Sequence, residues 1–131
     1  MAQAQNKTQE TKQDPFEFID SLADATQKAD SFALVKLFQK GTKAKPKMWG
    51  SAIIGFGSKK LVYASGRELD WMIAGFSPRK GKLVLYGLPV AKEATLLKKL
   101  GKHKVGGGCL YITKLSDVDT TVLTQLIAKA T

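Results

Sequence analysis

Cysteine and histidine are scarce in this chain, whose 131 residues include one of each. A lone thiol, Cys109, excludes an internal disulfide and is typical of a reducing compartment. One cysteine and one histidine also cannot supply the four ligands of a tetrahedral metal site. These counts argue against a disulfide-stabilised scaffold and against a conventional Cys/His metal centre.

Long apolar runs are missing as well. No stretch reaches the length that crosses a bilayer, and residues 1–13 are rich in Gln, Thr and Lys without the apolar segment of a signal peptide. We therefore expect a cytoplasmic protein with no membrane association, made of a flexible polar tail (1–13) and a single domain (14–131). That domain is long enough to bury a core of its own.

Acidic residues are few beyond the first part of the chain. The formal net charge is +10, but residues 1–30 carry three basic and six acidic side chains (−3), whereas residues 31–131 carry 18 basic and five acidic ones (+13). Such a field favours an anionic small molecule or an acidic protein as partner, with nucleic acid as a further possibility. The alternative is that the lysines only keep a small domain soluble.

The order of the secondary-structure signals predicts an α+β fold. Helices are predicted from Asp14, from near Asp30 to Gly41, over 91–100 and from Ser116; strands are predicted over 52–56, 60–64, 71–76, 83–86 and 109–112. Short loops after the first and third strands indicate antiparallel neighbours. Because the strands come as a block, we expect a mainly antiparallel sheet of about five strands packed against helices, in the order α-α-β-β-β-β-α-β-α.

Two tryptophans and several cations fall within or beside these predicted strands. The candidates for a common ligand pocket are Trp49, Tyr63, Arg67, Asp70, Trp71, Arg79 and Lys80. Arginine binds phosphate or carboxylate in a bidentate manner and stacks on indole rings, and Asp70 is placed to orient a nearby arginine. The alternative is that both tryptophans are core residues whose N–H groups are satisfied locally.

A glycine-rich segment, 101–108, contains Lys102, His103 and Lys104. It does not match a Walker-type loop, because Gly107 stands where lysine is required and the segment leads into a strand. Exposed backbone N–H groups beside these cations still favour an anion site, to which Lys102 and Lys104 add charge. The alternative is a solvated, mobile turn.

Cys109 and His103 invite comparison with a nucleophile–base pair. A thiol in an apolar strand is inert, and no third group is evident to orient the histidine. We therefore expect no catalysis from this pair.

Four carboxylates, those of Asp14, Glu17, Asp20 and Asp24, are predicted to share the outer face of the first helix. Carboxylate oxygens are hard ligands suited to iron or divalent ions, which makes Glu17, Asp20 and Asp24 a candidate metal-facing surface. Helix capping and the polar outer face of any amphipathic helix explain the same residues without a metal.

Several linked motifs resemble the YdhG-like family, catalogued as domain of unknown function 1801. They are PKMWG (46–50), VYASGR (62–67), DW (70–71), GFSPRK (75–80), LGKHK (100–104), CLYI (109–112) and LSDVD (115–119). The resemblance covers roughly residues 14–130 and implies a small intracellular α+β domain without an assigned activity. One branch of the family has been described as frataxin-like, which implies an iron chaperone for iron–sulfur or haem assembly.

The function expected from these observations is a non-catalytic or weakly catalytic binding module for an anionic small molecule or an acidic protein, with no cofactor. A frataxin-like iron chaperone, with iron held by the first helix, is the first alternative, and nucleic-acid binding is the second. A hydrolase or transferase would need His103 or Asp70 close to a nucleophile, which sequence spacing does not reveal. Oligomeric state is left open.

Overall fold

The computed structural model of the chain describes residues 11–62, 64–66 and 68–130. The helices are α1 (Pro15–Asp20), α2 (Ala25–Thr42), α3 (Ala94–Leu100) and α4 (Thr120–Ala128), and a 3₁₀ helix (Leu115–Asp117) precedes α4. The strands are β1 (Pro46–Trp49), β2 (Ile53–Phe56), β3 (Lys59–Val62), β4 (Glu68–Trp71), β5 (Ala74–Arg79), β6 (Lys82–Tyr86), β7 (Lys104–Gly106) and β8 (Cys109–Ile112). None of the helices in these ranges is long and apolar enough to span a bilayer.

The main sheet has six antiparallel strands in the order β1-β2-β5-β6-β8-β7, and β3 and β4 form a separate two-stranded sheet. The α+β expectation is confirmed, and the order of elements roughly matches the expected one. Three short strands, β1, β4 and β7, were not predicted, and the predicted strand 71–76 shares only Trp71 with β4. Each of the three pairs with its neighbour in a hairpin and has no long apolar run of its own.

The strand pairing differs from the expectation at two places. Residues 52–56 and 60–64 were expected to pair across Gly57 and Ser58, but β2 pairs with β1 and β5, and β3 pairs with β4. The stretch 71–76 is not one strand, because it is interrupted at Met72 and Ile73. That interruption separates the β3–β4 hairpin from the main sheet.

The first helix begins where the sequence predicts, but the second does not. The Oδ1 atom of Asp14 accepts a hydrogen bond from the backbone N–H of Phe16 (2.8 Å), as expected of an N-terminal cap. The expected start of α2 near Asp30 is wrong, because α2 begins at Ala25 and Asp24 caps it. Asp24 is therefore not part of α1, and the predicted single acidic face from Asp14 to Asp24 is wrong.

Gly41 was predicted to end this helix, but α2 continues to Thr42 and Lys43 takes the left-handed cap conformation (φ 59°). The glycine serves packing instead. A Cβ at Gly41 would lie 2.5 Å from Cγ2 of Ile127 in α4, so only glycine lets the two helices approach this closely.

The beginning of α4 also differs from the expectation. Ser116 was predicted to cap it, but Ser116 lies in the 3₁₀ helix, and Asp119 is the cap. Its Oδ1 accepts from the backbone N–H groups of Thr121 (2.9 Å) and Val122 (3.3 Å). The predicted buried stripe of this helix is confirmed, since Val118, Val122, Leu123, Leu126 and Ile127 are all buried.

Replacing Asp119 with alanine is expected to lower the free energy of unfolding by about 1 kcal/mol, the usual cost of losing a side-chain cap. Urea unfolding followed by circular dichroism measures the change. Asp119→Asn keeps the acceptor oxygen and should cost much less. Equal losses in Asp119→Ala and Ser116→Ala would contradict the assignment of the cap to Asp119.

All four helices pack on one face of the main sheet. The core there combines buried helix residues such as Leu34, Phe38 and Leu123 with strand residues such as Phe56 and Phe76. Because side chains alternate along a strand, the intervening strand residues point to the other face. That second face, on which no helix packs among the described residues, is called the helix-free face below.

Candidate functional site

The helix-free face concentrates the charge of the main sheet. Alternation assigns to it Lys47, Trp49, Ile53, Gly55, Gly75, Ser77, Arg79, Lys82, Val84, Tyr86, Lys104, Gly106, Cys109 and Tyr111. The six strands, all within the described residues, contain no Asp or Glu, and all their basic residues lie on this face. The opposite alternating positions are all apolar. The sheet thus has an apolar side against the helices and a cationic, aromatic side away from them.

The two tryptophans meet at one end of the helix-free face, where Trp49 is 2% exposed and Trp71 is half-buried. Their rings are 5.9 Å apart in an edge-to-face arrangement. The Trp49 indole lies against Gly55, where a Cβ would approach its Cδ1 to 2.4 Å. Among the described residues its Nε1 has no hydrogen-bond partner, so the local satisfaction expected of a core tryptophan is not observed. Trp49 is thus buried in a small apolar cluster with Trp71 and Met72.

Arg79 is the last residue of β5, lies on the same face and is exposed. Its Nε donates to the buried Oγ of Ser77 (2.9 Å), which donates to the carbonyl oxygen of Ala52 (2.6 Å). Two strand spacings, about 10 Å, separate β5 from the strand of Trp49. Lys80 is exposed in the two-residue turn to β6, and Gln27 of α2 holds that turn through the carbonyls of Arg79 and Lys82.

The other predicted pocket residues lie on β4 or outside the described residues. Asp70 is exposed on β4 and forms an ion pair with Lys60 (3.8 Å), which also contacts Glu68 (3.7 Å). Tyr63 and Arg67 lie outside the described residues. The predicted polar tail also falls mostly outside them, although the backbone N–H of Thr11 donates to the carbonyl of Met48 (2.8 Å).

Three predicted candidates, Lys102, His103 and Lys104, do come together. They line a hollow of about 260 Å³ with five further residues, Gly81, Lys82, Tyr111, Ile112 and Thr113. Among the described residues that line it, none is acidic. We call this the basic hollow.

Sequence reasoning missed Lys82 and Tyr111 as members of the basic hollow. Alternation with Val84 and Tyr86 could have placed Lys82 on a polar face of its strand. Its position beside Lys104, however, depends on the order β6-β8-β7, which joins segments some 20 residues apart in the chain. No local signal shows that order.

The glycine-rich segment is anchored where it enters the basic hollow. The backbone N–H of Lys102 donates to the carbonyl of Asp117 (3.1 Å), and that of Asp119 donates to the carbonyl of Leu100 (2.7 Å). Gly101 adopts φ 114° and ψ −152°, a region essentially restricted to glycine. The segment then continues as β7, and Gly107 and Gly108 form the turn to β8. Lys102 to Lys104 therefore project from a fixed backbone.

Two contacts orient side chains within the basic hollow. The Nδ1 atom of His103 lies 2.7 Å from the carbonyl oxygen of Gly101. A carbonyl only accepts, so this contact places a proton on Nδ1 and orients the ring. The ammonium group of Lys82 lies 5.3 Å from the centroid of the Tyr111 ring, within the range of a cation–π contact.

Cys109 and His103 do not form a pair. Gly106 is the residue opposite Cys109 in the β7–β8 hairpin, and Lys104 is opposite Tyr111. His103 is three residues from Gly106, about 10 Å along the strand direction. This separation agrees with the expectation that the two side chains do not act as nucleophile and base.

Two of the three candidate metal-facing acids, Asp20 and Asp24, are engaged with the protein. Asp20 forms an ion pair with Lys28 (3.0 Å), and Oδ1 of Asp24 accepts from the backbone N–H of Gln27 (3.0 Å). In the part of the chain that the structure describes, no group of three or more His, Cys, Asp or Glu residues is arranged to hold a metal ion. Iron binding by Glu17, Asp20 and Asp24 stays a prediction.

Comparison of the chain with protein-family models, with curated proteins and with solved structures found no match. The resemblance to the YdhG-like family therefore stays a prediction.

Proposed function

We propose that this protein is a non-catalytic binding module for an anionic ligand, and that the ligand is held in the basic hollow. The observation that carries the proposal is the convergence of Lys82, Lys102, His103 and Lys104 on one depression with no acidic lining among the described residues. These side chains come from two separate parts of the chain, β6 and the segment 102–104, and Tyr111 of β8 lines the same depression. The position of Lys82 beside the segment 102–104 is a property of the fold.

The composition of the basic hollow favours a compact, multiply charged anion. Lysine presents a compact point charge with three donors, and several such charges around one site suit an anion that carries more than one negative charge. Three lysines around a volume of about 260 Å³ therefore match a phosphate or pyrophosphate group better than a lone carboxylate. In that role Tyr111 holds the Lys82 ammonium toward the site through its ring.

The proposal predicts that removal of two lining charges weakens anion binding. The double substitution Lys82→Gln and Lys104→Gln removes both charges, keeps polar side chains and is expected to raise the Kd for pyrophosphate by about tenfold or more, because each lysine supplies a charge-assisted hydrogen bond. Isothermal titration calorimetry at low ionic strength measures the change.

The matched control is Lys36→Gln with Lys40→Gln on α2, which packs on the other side of the sheet. Both double variants lower the net charge by the same amount. The control should stay within about twofold of the unmodified protein, since screened charges at a distance contribute little. Equal losses in both variants, or no binding of pyrophosphate to the unmodified protein, would refute the proposed site.

A further inference from the structure

Cationic groups extend from the basic hollow across the helix-free face. Lys104 on β7 pairs with Tyr111, which pairs with Val84, which in turn pairs with Ser77 on β5. Two residues along the strands from the Val84–Ser77 pair, and on the same face, Lys82 pairs with Arg79. The cations therefore run from β7 over β8 and β6 to β5, a distance of three strand spacings or about 14 Å.

Tyrosine rings lie beside this line of charge. Tyr111 stands between Lys104 and Val84 in the cross-strand row, and Tyr86 stands one row further along β6 on the same face. Both are half-buried, so each is fixed by the sheet yet still reachable by solvent. Gly106 next to Tyr111 carries no side chain, and a Cβ there would already touch the ring at 3.6 Å.

We infer that the helix-free face binds single-stranded nucleic acid, with phosphates along Lys104, Lys82 and Arg79 and bases stacked on Tyr111 and Tyr86. This inference rests on the proposed function, because the basic hollow holds one of the phosphates. Rigid aromatic platforms beside a cationic track are how proteins bind single strands without reading sequence. Counterion release from the phosphates supplies much of the affinity.

An acidic protein segment is the competing partner, and the tyrosines favour nucleic acid over it. An acidic protein segment would bind to the cations through its carboxylates and would make no use of the tyrosine rings. The bases of a nucleic acid can stack on half-exposed rings as well. Duplex nucleic acid is disfavoured, since its bases are paired and unavailable to rings on a sheet. The structure therefore assigns the face to an unpaired strand.

The test is fluorescence anisotropy with a labelled oligothymidylate of about eight nucleotides, run beside pyrophosphate calorimetry on the same variants. Arg79 and Tyr86 do not line the basic hollow. Arg79→Gln and Tyr86→Leu are each expected to weaken oligonucleotide binding by about fivefold or more, while leaving the Kd for pyrophosphate within about twofold. Arg79→Lys keeps the charge and Tyr86→Phe keeps the ring, so both variants should retain most of the affinity for the oligonucleotide.

Matched controls define the other outcomes. Lys36→Gln removes one charge from the helical side and should leave oligonucleotide binding unchanged. If Arg79→Gln and Tyr86→Leu leave it unchanged too, the nucleic-acid inference is overturned, although a pyrophosphate response to Lys82→Gln with Lys104→Gln would still support the basic hollow. Tighter binding of an oligoglutamate of equal net charge, insensitive to Tyr86→Leu, would assign the face to an acidic protein instead.

Discussion

Replacing Phe38 with alanine is expected to lower the free energy of unfolding by about 3–5 kcal/mol, the range for truncating a buried phenylalanine. The side chain is fully buried, and its ring lies 5.2 Å from that of Phe56 and 5.6 Å from that of Phe76. It joins α2 to β2 and β5. The substitution removes contacts on both strands and leaves a cavity that the rigid sheet cannot close. Urea unfolding measures the loss.

Phe16 provides a control of the same residue type. It is 46% exposed and stacks on Phe32 at 6.4 Å, outside the main core. Phe16→Ala should cost about 1 kcal/mol, because nearly half of the side chain is already in water and an aromatic pair adds little. Comparable losses in the two variants would mean that α2 is not packed on the sheet as described.

Replacing Gly101 with alanine is expected to lower the free energy of unfolding by about 3 kcal/mol, since it adds a clash to a glycine-only conformation. A Cβ there would lie 2.5 Å from the carbonyl oxygen of Asp117, a backbone atom that cannot swing aside. The same change displaces Lys102 relative to the 3₁₀ helix. Pyrophosphate affinity should therefore fall even under conditions where the variant is folded.

Gly81 provides a control in which an added Cβ causes backbone strain without a steric clash. It also has a positive φ (74°), but a Cβ there would meet nothing within 4 Å. Gly81→Ala should cost about 1–2 kcal/mol, the penalty of the left-handed conformation alone. Urea unfolding of both variants checks this order, and a larger loss at Gly81 than at Gly101 would contradict the role given to Asp117.

Local signals predicted the elements whose cause is local. Asp14 followed by Pro15 predicted the start of α1, and the periodic apolar residues of α4 predicted its buried stripe. Predictions were wrong where one residue type fits two different structural roles. Gly41 was read as a stop but is required for contact with Ile127, and Asp24 was read as part of an acidic face but caps α2. Contacts between distant segments chose between these roles.

The candidate site divides in the same way. Lys102, His103 and Lys104 stood out because they adjoin one another and a run of glycines. Trp49 stood out for its size, but its burial follows from Gly55 and Met72, which reach it only through strand pairing and the β4–β5 bend. Whether a large aromatic residue is exposed or buried depends on what the fold places over it.

The sequence by itself determined the class of the fold, the sign of the charge and the alternation that separates apolar from cationic positions along each strand. These properties depend on residue type and short-range spacing. Only the tertiary structure decided that Lys82 and Tyr111 join Lys102, His103 and Lys104. Strand order is set by the burial of the whole apolar face against the helices, a global free energy that no local window contains.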